Sequence, residues 1–487
     1  MKSFVSLFLV LAWSQTLLFG QQINWSDTYQ VKEEFFSDKN NSSGKYLGEI
    51  DGKSYYTYYT REKKALETPI DVKISFFAES DGNIENSSFF SEKWYKILDV
   101  FIVDNQLVVV YREETKDKLE IKIDYIDPTT FKVVNNKILN SYTKKYKKSE
   151  FFAMIQTNEK TLNKIVSMGE KLNKDEGYDV THFVTDPNLK PIFSKTYLVQ
   201  KKKCEVSISM PFLTNNNQII QFSYCKNPKE DQKFDLSFTQ LSREDSISFE
   251  IKEFKTQQLG EVTFFPLKED NKYVFSYSSS TAFHFSIIDF KNLTLSDPIT
   301  QQIHFGLWSI FDVVEFNDDN IAFCYANFTF SYNQDEKTNF YYTLHPLSIN
   351  VTSFNTKEQN INYSVTIPRY FSFPNKMYFN FDALNYLPFI VKENDGLYVL
   401  YNTDINFDNQ TVNINESNQN IKINNLKTKL QCTYIDHQGE IEHIETEETT
   451  DENDYLATPF CKKTDKNGIQ IMKVNSNKIS VGSFIIK

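Results

Sequence analysis

The sequence is poor in the residues that announce chemistry. Its six histidines, His182, His284, His304, His345, His437 and His443, form neither an HxH nor an HExxH pattern. The five cysteines, Cys204, Cys225, Cys324, Cys432 and Cys461, contain no CxxC pair, which leaves a zinc or redox site without support. No GxSxG, Walker-type loop or GxGxxG occurs. Glycine is scarce, at 13 of 487 residues, so tight turns must fall to asparagine and aspartate. Positive charge is also short. The formal net charge is −11, which argues against a nucleic-acid partner, since such a partner requires a basic stripe. The local basic runs Lys144–Lys148 (KKYKK) and Lys201–Lys203 (KKK) read as solvated turns between strands.

Long apolar runs are missing everywhere but at the start. Residues 1–20 carry one lysine, then FVSLFLVLAW, then SQTLLFG, the pattern of a secretory signal peptide cleaved after Gly20. With Lys2 removed, 52 basic against 64 acidic residues leave −12. No cysteine follows the run, which argues against a lipid anchor, and no later run is long enough to span a bilayer. The expectation is an exported chain, periplasmic, cell-surface or secreted, with no transmembrane segment and monomeric.

What the sequence does contain is repetition. In Val100–Val134, Phe101, Val103, Leu107, Val109 and Tyr111 are apolar at alternate positions, interrupted at Asp104-Asn105. Leu119, Ile121, Ile123 and Tyr125 alternate again before a second turn at Asp127-Pro128. Period-two alternation is the mark of strands, and an Asx-Asn pair tolerates the positive φ of a tight hairpin. The hairpin recurs with turn residues Gly52, Asn105, Glu159, Asn217, Asn271, Asn320, Gly396 and Gly468, which lie 53, 54, 58, 54, 49, 76 and 72 residues apart by subtraction. The second turn recurs too. IDPTTFKVV (Ile126–Val134) resembles TDPNLKPIF (Thr185–Phe193), IDFKNLTL (Ile288–Leu295) and IDHQGEIEHI (Ile435–Ile444). A unit of about 50 residues with four strands is a propeller blade. The reading is therefore all-β: a single β-propeller domain over residues 21–487, with seven or eight four-stranded blades. Residues 23–44 supply a closing strand to the last blade. Tandem β-sandwich domains are the alternative.

Two segments exceed what a blade needs. One is the aromatic stretch Pro368–Pro388, the other an Asn-rich insertion at about 403–429. Within the second, Asp404, Asn406 and Asp408 place oxygen ligands as a calcium loop does. Asn409 and Asn415 replace the usual glycine and bidentate glutamate, so a solvated Asx-rich loop is the simpler reading. No other cofactor is expected. Cys432 and Cys461 fall on a late strand of one unit and an early strand of the next and are the candidate disulfide, while Cys225 and Cys324 read as small buried apolar residues. Ten Asn-x-Ser/Thr sequons, among them Asn292, Asn327, Asn350 and Asn362, match the number chance supplies in so Asn-rich a chain.

QQINWSD after the leader, IDPTTFKVV, GLYVLYNTDINFDNQ leading to CTYIDHQGEIEHIE, and the ending ATPF…NGIQIMKV…KISVGSFIIK are together similar to a group of uncharacterised exported β-propeller-like repeat proteins of Gram-negative bacteria. The resemblance implies a propeller-like fold and carries no activity or site residues. The functional expectation is a non-enzymatic binding or scaffold protein for an unknown protein or glycan, using loops at one end of the propeller. The alternative is a propeller glycoside hydrolase or lyase using channel carboxylates.

Overall fold

A computed structural model describes residues 24–25, 29–30, 40–62, 72–80, 83–90, 96–147, 149–158, 160–172, 177–200, 204–226, 232–256, 259–260, 262–269, 271–279, 281–303, 307–317, 319–334, 340–369, 387–393, 396–404, 428–444, 446, 455–456, 460–464, 468–475 and 478–485. These residues form eight antiparallel sheets, one per repeat. The propeller expectation holds at eight blades, and the tandem-sandwich alternative does not.

Within each blade, strands A to D run from the axis outward. Blade 1 is Asn40–Ile50, Lys53–Glu62, Val72–Ser80 and Asn83–Phe90. Blade 2 is Lys96–Val103, Gln106–Glu114, Lys118–Ile126 and Val133–Thr143. Blade 3 is Glu150–Thr157, Lys164–Lys171, Gly177–Thr185 and Pro191–Gln200. Blade 4 has a broken inner strand, Glu205–Ile208 and Phe212–Leu213, then Ile219–Lys226, Lys233–Leu241 and Ser246–Lys255. Blade 5 has Val262–Pro266, Lys272–Ser278 and Ala282–Asp289, and a broken outer strand, Thr294–Leu295 and Ile299–Gln302. Blade 6 is Leu307–Asn317, Asn320–Gln334, Phe340–Asn355 and Asn360–Pro368. Blade 7 is Phe389–Glu393, Gly396–Asp404, Thr428–Asp436 and Ile441–Ile444.

Blade 8 closes the ring. Its inner pieces Tyr455–Leu456 and Lys462–Thr464 precede Gly468–Asn475 and Lys478–Ile485. The outer position is taken by Asn24–Trp25 and Tyr29–Gln30 from the other end of the chain, paired antiparallel to Lys478–Ile485. This is the closing strand expected from residues 23–44.

Burial explains the strand sequences. The second strand of blade 2, QLVVVYREE, has both faces covered and reads as a continuous apolar run, while the outer strand VVNNKILNSYT is mostly exposed. Leu107, Val109 and Tyr111 pack toward blade 1, and Val108 and Val110 toward blade 3. The buried apolar residues fall into eight clusters, one at each junction between neighbouring blades, including the junction of blade 8 with blade 1. A sheet buried on both sides by its neighbours is the reason for the high aromatic content. Between blades 4 and 5, the Phe222 ring lies 5.1 Å from both Phe238 and Phe275, spacings at which aromatic pairs gain beyond simple burial.

The turns follow the Asx expectation. Asp104 and Asn105 both have positive φ, at 47° and 59°, as do Asp51 and Gly52 at 50° and 76°, matching a two-residue hairpin turn. At the outer corners of blades 2, 3, 5 and 7 one aspartate organises the loop. Asp127 Oδ1 accepts from the backbone N–H groups of Thr129 and Thr130, and Asp436 Oδ1 from those of Gln438 and Glu440. A further copy, unmarked by the Ile-Asp signature, sits in blade 6, where Asn355 Oδ1 accepts from Lys357 and Glu358 N–H.

Candidate functional site

A propeller offers its axial channel and the two ends of that channel. The inner strands carry mostly apolar side chains, and two carry an aspartate at matching places. Asp99 in blade 2 and Asp312 in blade 6 each follow a break in strand register, within Ile97-Leu98-Asp99-Val100 and Ile310-Phe311-Asp312-Val313. Each accepts the N–H of its successor at 2.8 Å. Blade 1 has the same irregularity between Tyr46 and Gly48. A bulge inserts one residue and re-aims its side chain. Blades 2 and 6 stand opposite each other in a ring of eight. Asp99 is ion-paired with Lys45 of blade 1. Nearby, the buried Lys164 Nζ lies 4.3 Å from the centre of the Phe101 ring, and burial lowers its pKa.

The two ends differ. In blades 1 to 7 the A–B and C–D turns lie at one end, and the B–C and blade-to-blade connections at the other; the A–B turn of blade 8 joins the first group. The A–B turns are short, and polar side chains fasten them to neighbouring blades. Lys462 Nζ of blade 8 reaches Glu49 and Ser54 of blade 1, each at 2.6 Å. Lys463 pairs with Glu393 of blade 7. Lys392 Nζ of blade 7 donates to Glu315 O of blade 6 at 2.6 Å. Asn163 Nδ2 of blade 3 donates to Asn217 Oδ1 of blade 4 at 2.6 Å.

The opposite end receives all the long connections. Segment 369–388 joins blade 6 to blade 7, and segment 405–427 joins the second and third strands of blade 7, so both open at the same end. Asp404 closes the strand Gly396–Asp404 there, while Asn406 and Asp408 lie outside the described residues. Among the described residues there is no group of three or more His, Cys, Asp or Glu arranged to hold a metal ion. Arg369 marks the start of the first long connection and is 1 % exposed. Burial pushes its guanidinium down to about 9, against the pull of Tyr401.

The cysteines depart from expectation. The disulfide joins Cys204 to Cys225, with Cα atoms 5.8 Å apart, not Cys432 to Cys461. Cys225 is thus not a free apolar residue. It pairs with Val206 across strands, which puts Cys204 two positions along and on the same face. Cys432 and Cys461 do share the cluster between blades 7 and 8, but as free buried thiols, each pushed up to about 12 by burial.

The KKYKK run is more than a solvated turn. Glu170 is fully buried and accepts the backbone N–H groups of Lys145 and Tyr146 and the Ser149 hydroxyl. Lys145 Nζ pairs with Asp179, the cross-strand neighbour of Glu170, at 3.0 Å. These two carboxylates anchor the connection between blades 2 and 3.

Two histidines were not legible from sequence. His182 is fully buried, with Nδ1 2.8 Å from Ser167 Oγ, and burial holds it down at about 3. His284 stacks on Tyr277 and bonds Thr300 and Ser279. His437 and His443 are exposed; His304 lies outside the described residues. Of the sequons, Asn292 and Asn362 are exposed. Asn327 and Asn350 are 0 % and 3 % exposed inside blade 6, so neither can carry a glycan in the folded molecule.

No protein-family model and no curated protein matches the sequence. Among solved structures, a variant of the Synechocystis apocarotenoid oxygenase is 9% identical with a TM-score of 0.38, covering 94% of this chain and 92% of its own. The Dos1 propeller is 8% identical with a TM-score of 0.38 and covers 96% of both chains. A protein from Lactobacillus plantarum is 9% identical with a TM-score of 0.36, covering 83% of this chain and 96% of its own. Likeness at this level says nothing about activity, metal or ligand.

Proposed function

We propose that the protein is an exported binding or scaffold protein whose ligand, a protein or glycan, is held by the connections at one end of the channel. The observation that supports this is the division of labour between the two ends. Short turns clasped blade to blade make one end rigid, while segments 369–388 and 405–427 are both delivered to the other. Loops on a rigid scaffold are where recognition usually sits. Export is supported by the leader-like residues 1–20 and by the Cys204–Cys225 disulfide, a bond that persists in oxidising compartments. No helix among the described residues is long and apolar enough to cross a membrane.

The test replaces residues 405–427 with an Asn-Gly turn and screens both forms against a glycan array and against proteins cross-linked in the native envelope. A ligand bound by the parent and lost by the shortened form supports the reading. A ligand retained at full affinity by the shortened form, but lost on changing the clasped end, reverses it. The enzyme reading, a glycoside hydrolase or lyase, rests on Asp99 and Asp312. Polysaccharide cleavage by the parent that disappears in Asp312→Asn would establish it in place of the binding reading.

A further inference from the structure

The hairpin of blade 3 is longer than the two-residue A–B turns of blades 1 and 2. It runs from Asn158 to Asn163, and its first residue organises it: Asn158 Oδ1 accepts the N–H groups of Lys160 and Thr161. The same side chain ties the hairpin to blade 4, donating through Nδ2 to Leu213 O at 2.8 Å and Asn215 Oδ1 at 3.2 Å. Held this way, Lys160 extends over the channel mouth. Its Nζ lies 2.9 Å from Glu315 Oε2 on the inner strand of blade 6. Blades 3 and 6 are not neighbours, whereas the other clasps described above join adjacent blades. The Glu315 backbone is itself steadied by Lys392 of blade 7.

We infer that the Lys160–Glu315 pair is a strap across the hairpin end of the channel, making the channel a well that opens at the end carrying the long connections. This deepens the binding reading, on which its functional meaning rests, by assigning the ligand's direction of approach. The strap is exposed at both residues, 61% and 38%, so it is worth at most about 1 kcal/mol, or about fivefold in an opening equilibrium. It restricts bulky solutes and leaves water and small molecules free to pass.

The experiment needs no ligand. A thiol is introduced at the hairpin end of the blade 3 inner strand by Thr157→Cys, with Met154→Cys as a second position deeper in the same strand. The native free thiols Cys324, Cys432 and Cys461 are buried. Labelling rates are measured with N-ethylmaleimide and with a maleimide carried on a polymer too wide for the strapped mouth. Lys160→Ala is expected to raise the polymer rate two- to fivefold and leave the small-reagent rate unchanged. Exchanging the charges with Lys160→Glu and Glu315→Lys together is expected to restore the slow rate. Molar salt is expected to act as Lys160→Ala does, because an exposed pair is screened. Equal polymer rates with and without Lys160, at both thiol positions, would overturn the strap. That result would leave the loop-replacement experiment above untouched, so the two ideas fail separately.

Discussion

His182 ties acid stability to one buried side chain. Folded, its pKa is about 3 because the imidazole is buried; unfolded, a histidine titrates near 6.5. A depressed folded pKa means that the neutral state's contribution is fully present above about 6.5 and is lost as pH falls toward 3, since the unfolded chain takes up the proton first. At 1.36 kcal/mol per unit, the loss by pH 4.5 is on the order of 2–3 kcal/mol. Replacing the bonded pair together, by Ser167→Ala with His182→Leu, is expected to shift the acid-unfolding midpoint downward, as followed by tryptophan fluorescence. An unchanged midpoint would show that His182 is hydrated when folded. A second residue is strained for want of glycine. Leu293 has φ 57° and is 47% exposed, so it bears a left-handed backbone without a compensating burial. Leu293→Asn is expected to stabilise by about 1 kcal/mol, seen as a higher melting temperature; a lower one would mean that the leucine packs more than its exposure suggests.

At the scale of elements, the disulfide fastens the inner strand of blade 4 to its neighbour. Cys204 and Cys225 are 21 residues apart, and closing a loop of that length is worth about 3 kcal/mol in the chain-entropy account. Paired Cys204→Ser and Cys225→Ser is expected to lower stability by that order. Thiol counting checks the pairing directly: no rapid labelling in the native protein, three thiols after denaturation, five after reduction. Three thiols at Cys204, Cys225 and Cys324 instead would restore the Cys432–Cys461 bridge. Why the sequence misled here is physical. Both pairs bring their cysteines near each other, but proximity across a blade junction does not by itself set the separation and Cβ direction a disulfide needs, whereas Cys204, just before the paired strand Glu205–Ile208, comes within 5.8 Å of Cys225 between Cα atoms. The turns were legible for the opposite reason. Their chemistry is local, so Asp104-Asn105 or Asp127 declares itself within a few residues. The bulged Asp99 and Asp312 were missed, although the shared pattern Ile-Leu/Phe-Asp-Val was visible. A bulge depends on register with the partner strand, which one strand's sequence does not state. The burial of Glu170 and the role of KKYKK depend on a connection folding back onto its own blade, and carry no local mark.

For the whole molecule, the decisive question is what holds a ring of eight similar blades shut. Two devices meet at blade 8: the lysine clasps Lys462–Glu49 and Lys463–Glu393, and the strand pairing of Asn24–Trp25 and Tyr29–Gln30 with Lys478–Ile485. The clasps are at least partly exposed, so each contributes about 1 kcal/mol or less and weakens with salt. The pairing covers a strand edge, and its backbone hydrogen bonds contribute about 0.5–1.5 kcal/mol each. Together they outweigh the clasps, and they prevent the edge from recruiting another chain. Two outcomes follow from that ordering. Raising salt to 1 M should change the melting temperature little. A chain starting at residue 40 should melt earlier, be cut first by protease within blade 8, and self-associate through Lys478–Ile485. Adding a peptide of residues 21–39 should reverse these effects, because an extended peptide can replace a missing strand. A shortened chain that stays monomeric and melts with the parent would place ring closure in the apolar junction of Tyr56, Phe77, Phe460 and Met472 between blades 8 and 1, with the N-terminal strands as mere cover.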